Sequence, residues 1–125
     1  MKILIVDDHP EVLDSLQLLL ELEGHQIIAA TNAALALEQL SNGHAFDLVI
    51  TDFRMPGICG DEFFRHARRQ MGALTPPFIL HSAHHDELTN GEATLPWHDC
   101  VPKGNPELLR NCLQRFCSAT PDSLN

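Results

Sequence analysis

Five residues that can do chemistry stand where the sequence predicts that strands end. Asp7 and Asp8 follow the first apolar run, Asp52 follows the third, Ser82 ends the fourth and Lys103 follows the fifth. In an open parallel sheet the carboxyl ends of the strands share one edge, and ligands bind in the crevice there. We therefore expect these side chains to line a single pocket.

The residue types in this pocket favour phosphoryl transfer. Close carboxylates repel one another, so a proton or a cation must lie among them. Mg²⁺ suits such a site because it binds one or two carboxylates, keeps waters and accepts phosphate oxygens. A neighbouring aspartate can then attack phosphorus and form an aspartyl-phosphate. The transfer requires neutralised phosphoryl oxygens, for which Lys103 offers a charge and Ser82 a hydroxyl group.

Short apolar runs alternate with helical patterns and can position these residues. Strands are predicted at 3–6, 26–30, 47–51, 77–82 and 100–102, and helices at 11–22, from Thr31 or Asn32 to 42, at 60–70 and from Asn105 to 116. The segment between Ser82 and Cys100 contains Asn90-Gly91 and Pro96, so at most a short irregular helix is predicted there, around 86–92. Strands alternating with helices imply parallel pairing and right-handed crossovers, hence a doubly wound α/β fold.

Composition excludes several classes of function. The chain has 125 residues, enough for one domain with a core, and its formal net charge of -9 argues against direct nucleic-acid binding. No apolar run approaches the roughly 20 residues that span a membrane, and the first residues do not read as a secretory signal. We expect a cytoplasmic domain without membrane contact.

Cysteine and histidine are frequent but form no known ligand pattern. The four cysteines include no Cys-x-x-Cys pair, so free, partly buried thiols are expected. Four histidines fall within a short stretch, at His81, His84, His85 and His98. Their spacing matches no known metal site, so solvated or hydrogen-bonded histidines are predicted.

The motifs around the five polar residues resemble those of response-regulator receiver domains. The matching segments are Ile-Val-Asp-Asp-His-Pro at 5–10, Asp-Phe-Arg-Met-Pro-Gly at 52–57 with Gly60, Ser82-Ala83, and Val-Pro-Lys at 101–103. The resemblance covers about residues 1–116 and implies a receiver domain over 1–118 with a flexible tail over 119–125. It also implies a flavodoxin-like fold: a five-stranded parallel sheet of order 2-1-3-4-5 with five helices, the fourth short and irregular here.

The resemblance implies a magnesium site. Asp8 and Asp52 would bind Mg²⁺ directly and Asp7 would bind it through water. The backbone carbonyl of Arg54 would be a further ligand.

The resemblance also implies a phosphorylation switch. Asp52 resembles the phosphoacceptor, Lys103 the lysine that holds the phosphoryl group, and Ser82 the hydroxyl that moves towards it. The phosphodonor would be a sensor histidine kinase or a histidine phosphotransfer protein, and the switch would change binding to an unknown protein partner. Slow self-dephosphorylation is also expected.

The chain departs from the family pattern at three places. Cys100 stands where the family usually has an aromatic switch residue, three residues before the lysine. Gly104 follows Lys103 in place of proline, and a cis bond to a non-proline costs about 2.5–4 kcal/mol, so a trans bond is expected unless the surroundings hold it cis. The irregular segment at 86–92 lies on a face that receivers commonly use for dimerisation or output. Two alternatives remain for Arg54 and His84: they influence how long the phosphate survives, or they are simply solvated.

Three other classes of protein are compatible with parts of this pattern. A receiver-fold interaction module that works without phosphorylation is favoured by Cys100 and the irregular segment, and disfavoured by the complete set of acidic, hydroxyl and lysine residues. An aspartate-nucleophile phosphatase needs a second acid two residues after the nucleophile, where this chain has Arg54. A flavin-binding domain is disfavoured because the acids after the first strand would repel a phosphate group in the absence of a metal ion.

Overall fold

The structure is a computed structural model that describes residues 1–42, 45–53, 55–82, 99–104 and 106–119. Its strands are β1 Lys2–Val6, β2 Gln26–Ala30, β3 Leu48–Thr51, β4 Phe78–Ser82 and β5 Asp99–Pro102. Its helices are α1 Pro10–Leu22, α2 Ala33–Ser41, α3 Gly60–Met71 and α4 Pro106–Ala119, with a 3-10 turn at Gly72–Leu74. The predicted irregular helix at 86–92 lies outside the described residues.

The described strands form one parallel sheet in the order β2-β1-β3-β4-β5. This order agrees with the one implied by the resemblance, and the predicted parallel α/β class is confirmed. β1 lies centrally, because Val6 pairs with Ala30 on one side and with Thr51 on the other. The residues that follow β1 and β3 therefore emerge next to each other at the carboxyl edge.

Both faces of the sheet are buried at β1 and β3, which explains why these two strands are nearly continuous apolar runs. Ile3, Ile5 and Ile50 pack against α1 and α4 in one cluster. Leu4 and Val49, which point the other way, pack against α2 and α3 in a second cluster. The alternation of side chains along a strand thus builds two cores that hold the sheet edge rigidly.

Local signals set most helix boundaries within one or two residues of the predicted ones, whereas α4 continues to Ala119, three residues beyond the predicted end at 116. Asn32 caps α2, where its Oδ1 accepts a hydrogen bond of 2.8 Å from the amide of Leu35, which decides between the two predicted caps. α1 begins at Pro10, whose fixed φ suits the first helical turn. Gly24 follows that helix with φ +93°, a conformation that glycine adopts without strain.

In the part of the chain that the structure describes, no helix has both the length and the apolar character needed to cross a membrane.

Candidate functional site

The sheet register brings Asp7 and Asp52 together. The amide of Asp7 donates to the carbonyl oxygen of Ala30 at 3.2 Å, and the amide of Asp52 donates to that of Val6 at 2.9 Å. Both aspartates are buried, with exposed fractions of 2% and 5%. The backbone of the two neighbouring strands therefore fixes where these carboxyl groups start.

Lys103 reaches both carboxylates from the end of β5. Its Nζ lies 2.7 Å from Asp7 Oδ2 and 3.2 Å from Asp52 Oδ2. The chain turns at Gly104, which has φ +88°, and none of the described peptide bonds is cis. The Lys103–Gly104 bond is therefore trans, as its energetic cost in the cis form predicts.

The loop after β3 orients the Asp52 side chain. The amide of Phe53 donates to Asp52 Oδ1 at 2.8 Å, while Oδ2 faces the lysine. The amide of Gly60 donates to the carbonyl oxygen of Phe53 at 2.6 Å, which ties the start of α3 to this loop. Each oxygen of Asp52 thus has a different partner.

The charges of the pocket are strongly coupled. Burial, together with the charge of Asp7, raises the pKa of Asp52 above its ordinary value despite Lys103. Burial also acts to raise the pKa of Asp7, but hydrogen bonds from Lys103 and His9 outweigh it and leave the pKa lowered. Burial acts to lower the pKa of Lys103, yet its two carboxylate partners leave it raised. Asp52 is therefore the acid whose charge is least compensated by the described residues.

The donor atoms fit a divalent cation. One ligand atom from each of Asp7, Asp8, His9 and Asp52 lies within 4.8 Å of every other. Asp8 Oδ1 is buried and accepts no hydrogen bond from any described residue, although His9 Nδ1 lies 3.2 Å away. A buried carboxylate oxygen without a donor is costly unless a cation satisfies it. The oxygen-rich donor set suits Mg²⁺, and the family resemblance implies the same ion.

His9 belongs to this cluster, and the sequence reasoning gave it no role. Its amide donates to Asp7 Oδ1 at 2.9 Å, and its Nδ1 lies 3.0 Å from the same oxygen. The sequence contains two signals: the position of His9 directly after the acidic pair, and Pro10 after it, which favours an extended backbone at His9. Neither signal by itself predicts that the ring turns back towards the acids.

Some predicted site features lie outside the described residues. These are Arg54 with its carbonyl oxygen, His84 and the cap residue Asn105. Ser82 ends β4 at the carboxyl edge, where it pairs with Pro102, but its side chain is outside the described part, as is that of Cys100. The structure therefore brings Asp7, Asp8, Asp52 and Lys103 together and leaves the other features as predictions.

The remaining histidine and cysteine predictions have different outcomes. His81 is 7% exposed, so the solvated alternative is wrong for this residue, and burial followed by the charge of Lys103 lowers its pKa to about 4. Cys59 and Cys112 are free thiols, the first half-buried and the second buried, as predicted. Among the described residues the one group that could hold a metal ion is the acidic cluster with His9, not a histidine cluster.

The fold and the site together define a class: a parallel α/β domain with an acidic, lysine-bridged pocket at its carboxyl edge. The sequence profile described as response regulator receiver domain matches residues 3–114. The chain therefore belongs to the response-regulator receiver domain family.

Individual relatives agree with this assignment. The chain is 46% identical over 68 residues to the virulence sensor protein BvgS of Bordetella pertussis, which is 54% of this chain and 5% of BvgS. It is 36% identical over 91 residues to the transcriptional regulatory protein KdpE of Mycobacterium tuberculosis, which is 73% of this chain and 38% of KdpE. The chain thus spans well under half the length of these curated relatives.

A solved structure provides a closer comparison of the fold. The response regulator protein TrrA from Thermotoga maritima, solved in complex with Mg²⁺-BeF, matches with a TM-score of 0.79 and 30% sequence identity. The match covers 92% of this chain and 97% of that chain.

Proposed function

We propose that this domain is a phosphorylation switch in which Asp52 accepts a phosphoryl group. The observation that carries the proposal is the position of Lys103 Nζ, 2.7 Å from Asp7 Oδ2 and 3.2 Å from Asp52 Oδ2. An ammonium group there can neutralise an oxygen of a phosphoryl group attached to Asp52. Asp7 holds the lysine in place before the phosphoryl group arrives.

The reaction conserves atoms and charge in a simple way. A carboxylate oxygen of Asp52 attacks the phosphorus of a phosphohistidine, and an oxygen–phosphorus bond forms while the phosphorus–nitrogen bond breaks. The electron pair of the broken bond stays on the imidazole nitrogen of the donor, which takes up a proton. The product is an acyl phosphate, which water can later attack at phosphorus to release inorganic phosphate and restore the carboxylate.

The raised pKa of Asp52 is consistent with a nucleophile that needs a cation nearby. Asp8 and Asp52 would hold Mg²⁺ directly, with Asp7 acting through water and the Arg54 carbonyl as a further ligand. Bound Mg²⁺ supplies positive charge that lets the acids ionise together and neutralises phosphoryl oxygens. The complex of TrrA with Mg²⁺-BeF supports the same ion here.

The proposal includes the partners and the output. The donor is a sensor histidine kinase or a histidine phosphotransfer protein, in keeping with the similarity to a sensor protein. The switch runs through Ser82 and the segment between β4 and β5, which includes the proposed short fourth helix, and changes affinity for a protein partner. We further propose the receiver over 1–118 with a C-terminal tail over 119–125. We also propose a cytoplasmic location.

Incubation with acetyl phosphate and Mg²⁺, followed by intact mass measurement, tests the proposal. We expect one added phosphoryl group on the wild type and none on Asp52→Asn. Asp47→Asn is a matched control, because Asp47 precedes the same strand at its other end and accepts a hydrogen bond from the Lys2 amide. Equal uptake by the Asp52→Asn variant, or none by the wild type, would contradict the proposal.

Beryllofluoride, which mimics a phosphoryl group on a carboxylate, separates this function from that of a phosphorylation-independent interaction module. Calorimetry should detect Mg²⁺-dependent beryllofluoride binding to the wild type and to Asp47→Asn. An interaction module without a phosphorylation site would give no binding heat in either protein.

A further inference from the structure

We propose that the His9 imidazole is a nitrogen ligand in the divalent-cation site, so that this site prefers Zn²⁺ over Mg²⁺ more strongly than a site with oxygen ligands alone. The inference rests on the metal site of the proposed function and adds to it a ligand and an ion preference. Asp7, Asp8 and Asp52 supply only oxygen donors, and a nitrogen donor would change which ions the pocket selects.

The backbone presents the His9 ring to the acids. His9 precedes Pro10, and a residue before proline is pushed out of the helical region into extended conformations. His9 accordingly has φ -101° and ψ 108° at the N-cap of α1, and its side chain makes no capping hydrogen bond. Although the side chain is 63% exposed, its Nδ1 lies 3.0 Å from Asp7 Oδ1 and 3.2 Å from Asp8 Oδ1. The ring therefore faces solvent on most of its surface while its Nδ1 borders the pocket.

The two oxygens of Asp7 divide the pocket into two sides. Oδ2 contacts Lys103 at 2.7 Å, whereas Oδ1 receives the His9 amide and faces the His9 ring. The lysine side is suited to a phosphoryl group. The histidine side, where Asp8 Oδ1 accepts no hydrogen bond from the described residues, is suited to a metal ion.

The separations are close to those around a bound ion. Opposite ligands of an octahedral ion with bonds of about 2.1 Å are about 4.2 Å apart. The donor atoms of the cluster lie within 4.8 Å of one another. Shifts of a few tenths of an ångström would therefore bring those of Asp8, His9 and Asp52 onto one ion, with Asp7 acting through water as in the proposed function. Imidazole nitrogen favours Zn²⁺ and later transition ions, whereas Mg²⁺ prefers oxygen ligands.

Electron paramagnetic resonance of the Mn²⁺-loaded full-length chain tests for the nitrogen ligand. We expect the spin-echo signal to carry nitrogen modulation from a directly bound imidazole. The modulation should vanish in His9→Ala and persist in His66→Ala, which removes an exposed histidine of α3 that is outside the cluster. Circular dichroism verifies that both variants fold. The proposal is overturned if Mn²⁺ does not bind, if the wild type lacks nitrogen modulation, or if His9→Ala retains it.

Competition measures the ion preference at this one site. Zn²⁺ is titrated against bound Mn²⁺, and the signal of released Mn²⁺ is followed. A parallel titration uses Mg²⁺ as the competitor in place of Zn²⁺. We expect His9→Ala to reduce the preference for Zn²⁺ over Mg²⁺ about tenfold or more. His66→Ala should leave this preference unchanged. An unchanged preference in His9→Ala would overturn the proposal. Phosphorylation of the wild type with Mg²⁺ reports separately on Asp52, so the two proposals can fail independently.

Discussion

At the scale of single residues, the pocket contains acids whose titration affects stability in opposite directions. Asp7 has a lowered pKa, so its contribution to stability is present above the ordinary value of 3.8 and is lost as the pH falls through its folded-state pKa. Asp52 has a raised pKa because burial and the charge of Asp7 penalise its ionised form. Its contribution is present at low pH and is lost as the pH rises through its folded-state pKa.

Asp52→Asn should therefore stabilise the metal-free protein at neutral pH. The amide cannot ionise, so the penalty for a buried charge disappears, and we expect the free energy of unfolding to rise by roughly 1 kcal/mol. Urea unfolding in the presence of a chelator measures it at pH 7.5 and at pH 4. The gain should shrink at pH 4, where the wild-type carboxyl group is closer to neutral. Asp47→Asn keeps an oxygen that can accept the exposed hydrogen bond from the Lys2 amide and should give no gain; destabilisation by Asp52→Asn would refute the interpretation.

His81 should make stability depend on pH in a different range. Its pKa is about 4 in the folded chain against 6.5 as an ordinary value, chiefly because of burial. The unfolded chain binds a proton first as the pH falls, so stability is fully present above pH 6.5 and is lost towards pH 4, by about 3 kcal/mol in total. His81→Leu should remove this part of the slope, while His66→Gln, an exposed replacement, should keep it. A proton NMR titration of the His81 ring gives the pKa directly, and a value near 6.5 would contradict the prediction.

At the scale of the elements, the turn after β5 controls where the lysine stands. Gly104 has φ +88°, and no atom lies within 4 Å of the place where a Cβ would be added. Gly104→Ala should thus lose stability through backbone strain alone, by about 1–3 kcal/mol. Urea unfolding measures the loss of stability. Ala34→Gly, a change at an exposed position within α2, serves as the comparison, because glycine inside a helix costs about 1 kcal/mol relative to alanine. A neutral Gly104→Ala would mean that the turn relaxes without cost.

The strands also show which features of the fold and of the site could be predicted from the sequence. Strands were predicted at 3–6 and 47–51, because continuous apolar stretches between turn signals are typical of buried strands. The strand ends then predicted that Asp7, Asp8, Asp52 and Lys103 would meet, and they do. The pattern could not reveal that Lys103 lies nearer Asp7 than Asp52, since that depends on how a long side chain crosses the pocket.

His9 and His81 were missed for related physical reasons. The role of His9 depends on the dihedral angles that Pro10 favours, and its residue type alone led to no prediction. His81 stands inside a strand next to Ser82, and period-two alternation puts it on the same face as Ile79, towards the buried cluster. That signal was present in the sequence, but solvated or hydrogen-bonded side chains were predicted for the four histidines as a group, without regard to the face of the strand on which His81 lies.

At the scale of the whole molecule, two apolar clusters hold the central strands, and the polar groups are confined to one edge. A ligand at that edge contacts side chains from β1, β3 and β5 at once, because their carboxyl ends share it. A ligand that binds only the folded chain stabilises it against unfolding. The size of this effect is set by the ligand concentration relative to the dissociation constant. The cation site can therefore be detected through global stability as well as locally.

Mg²⁺ should raise the free energy of unfolding of the wild type, by about 2.7 kcal/mol when its concentration is 100 times the dissociation constant. Asp8→Asn should abolish this gain, because it removes the charge of a carboxylate whose Oδ1 accepts no hydrogen bond from described residues. Asp14→Asn removes the same charge from an exposed position on α1 and should keep the gain. Urea unfolding with Mg²⁺, and with sodium chloride at equal ionic strength, separates specific binding from screening of the net charge of -9. If Asp8→Asn responded to Mg²⁺ as the wild type does, the cation would lie elsewhere on the acidic surface.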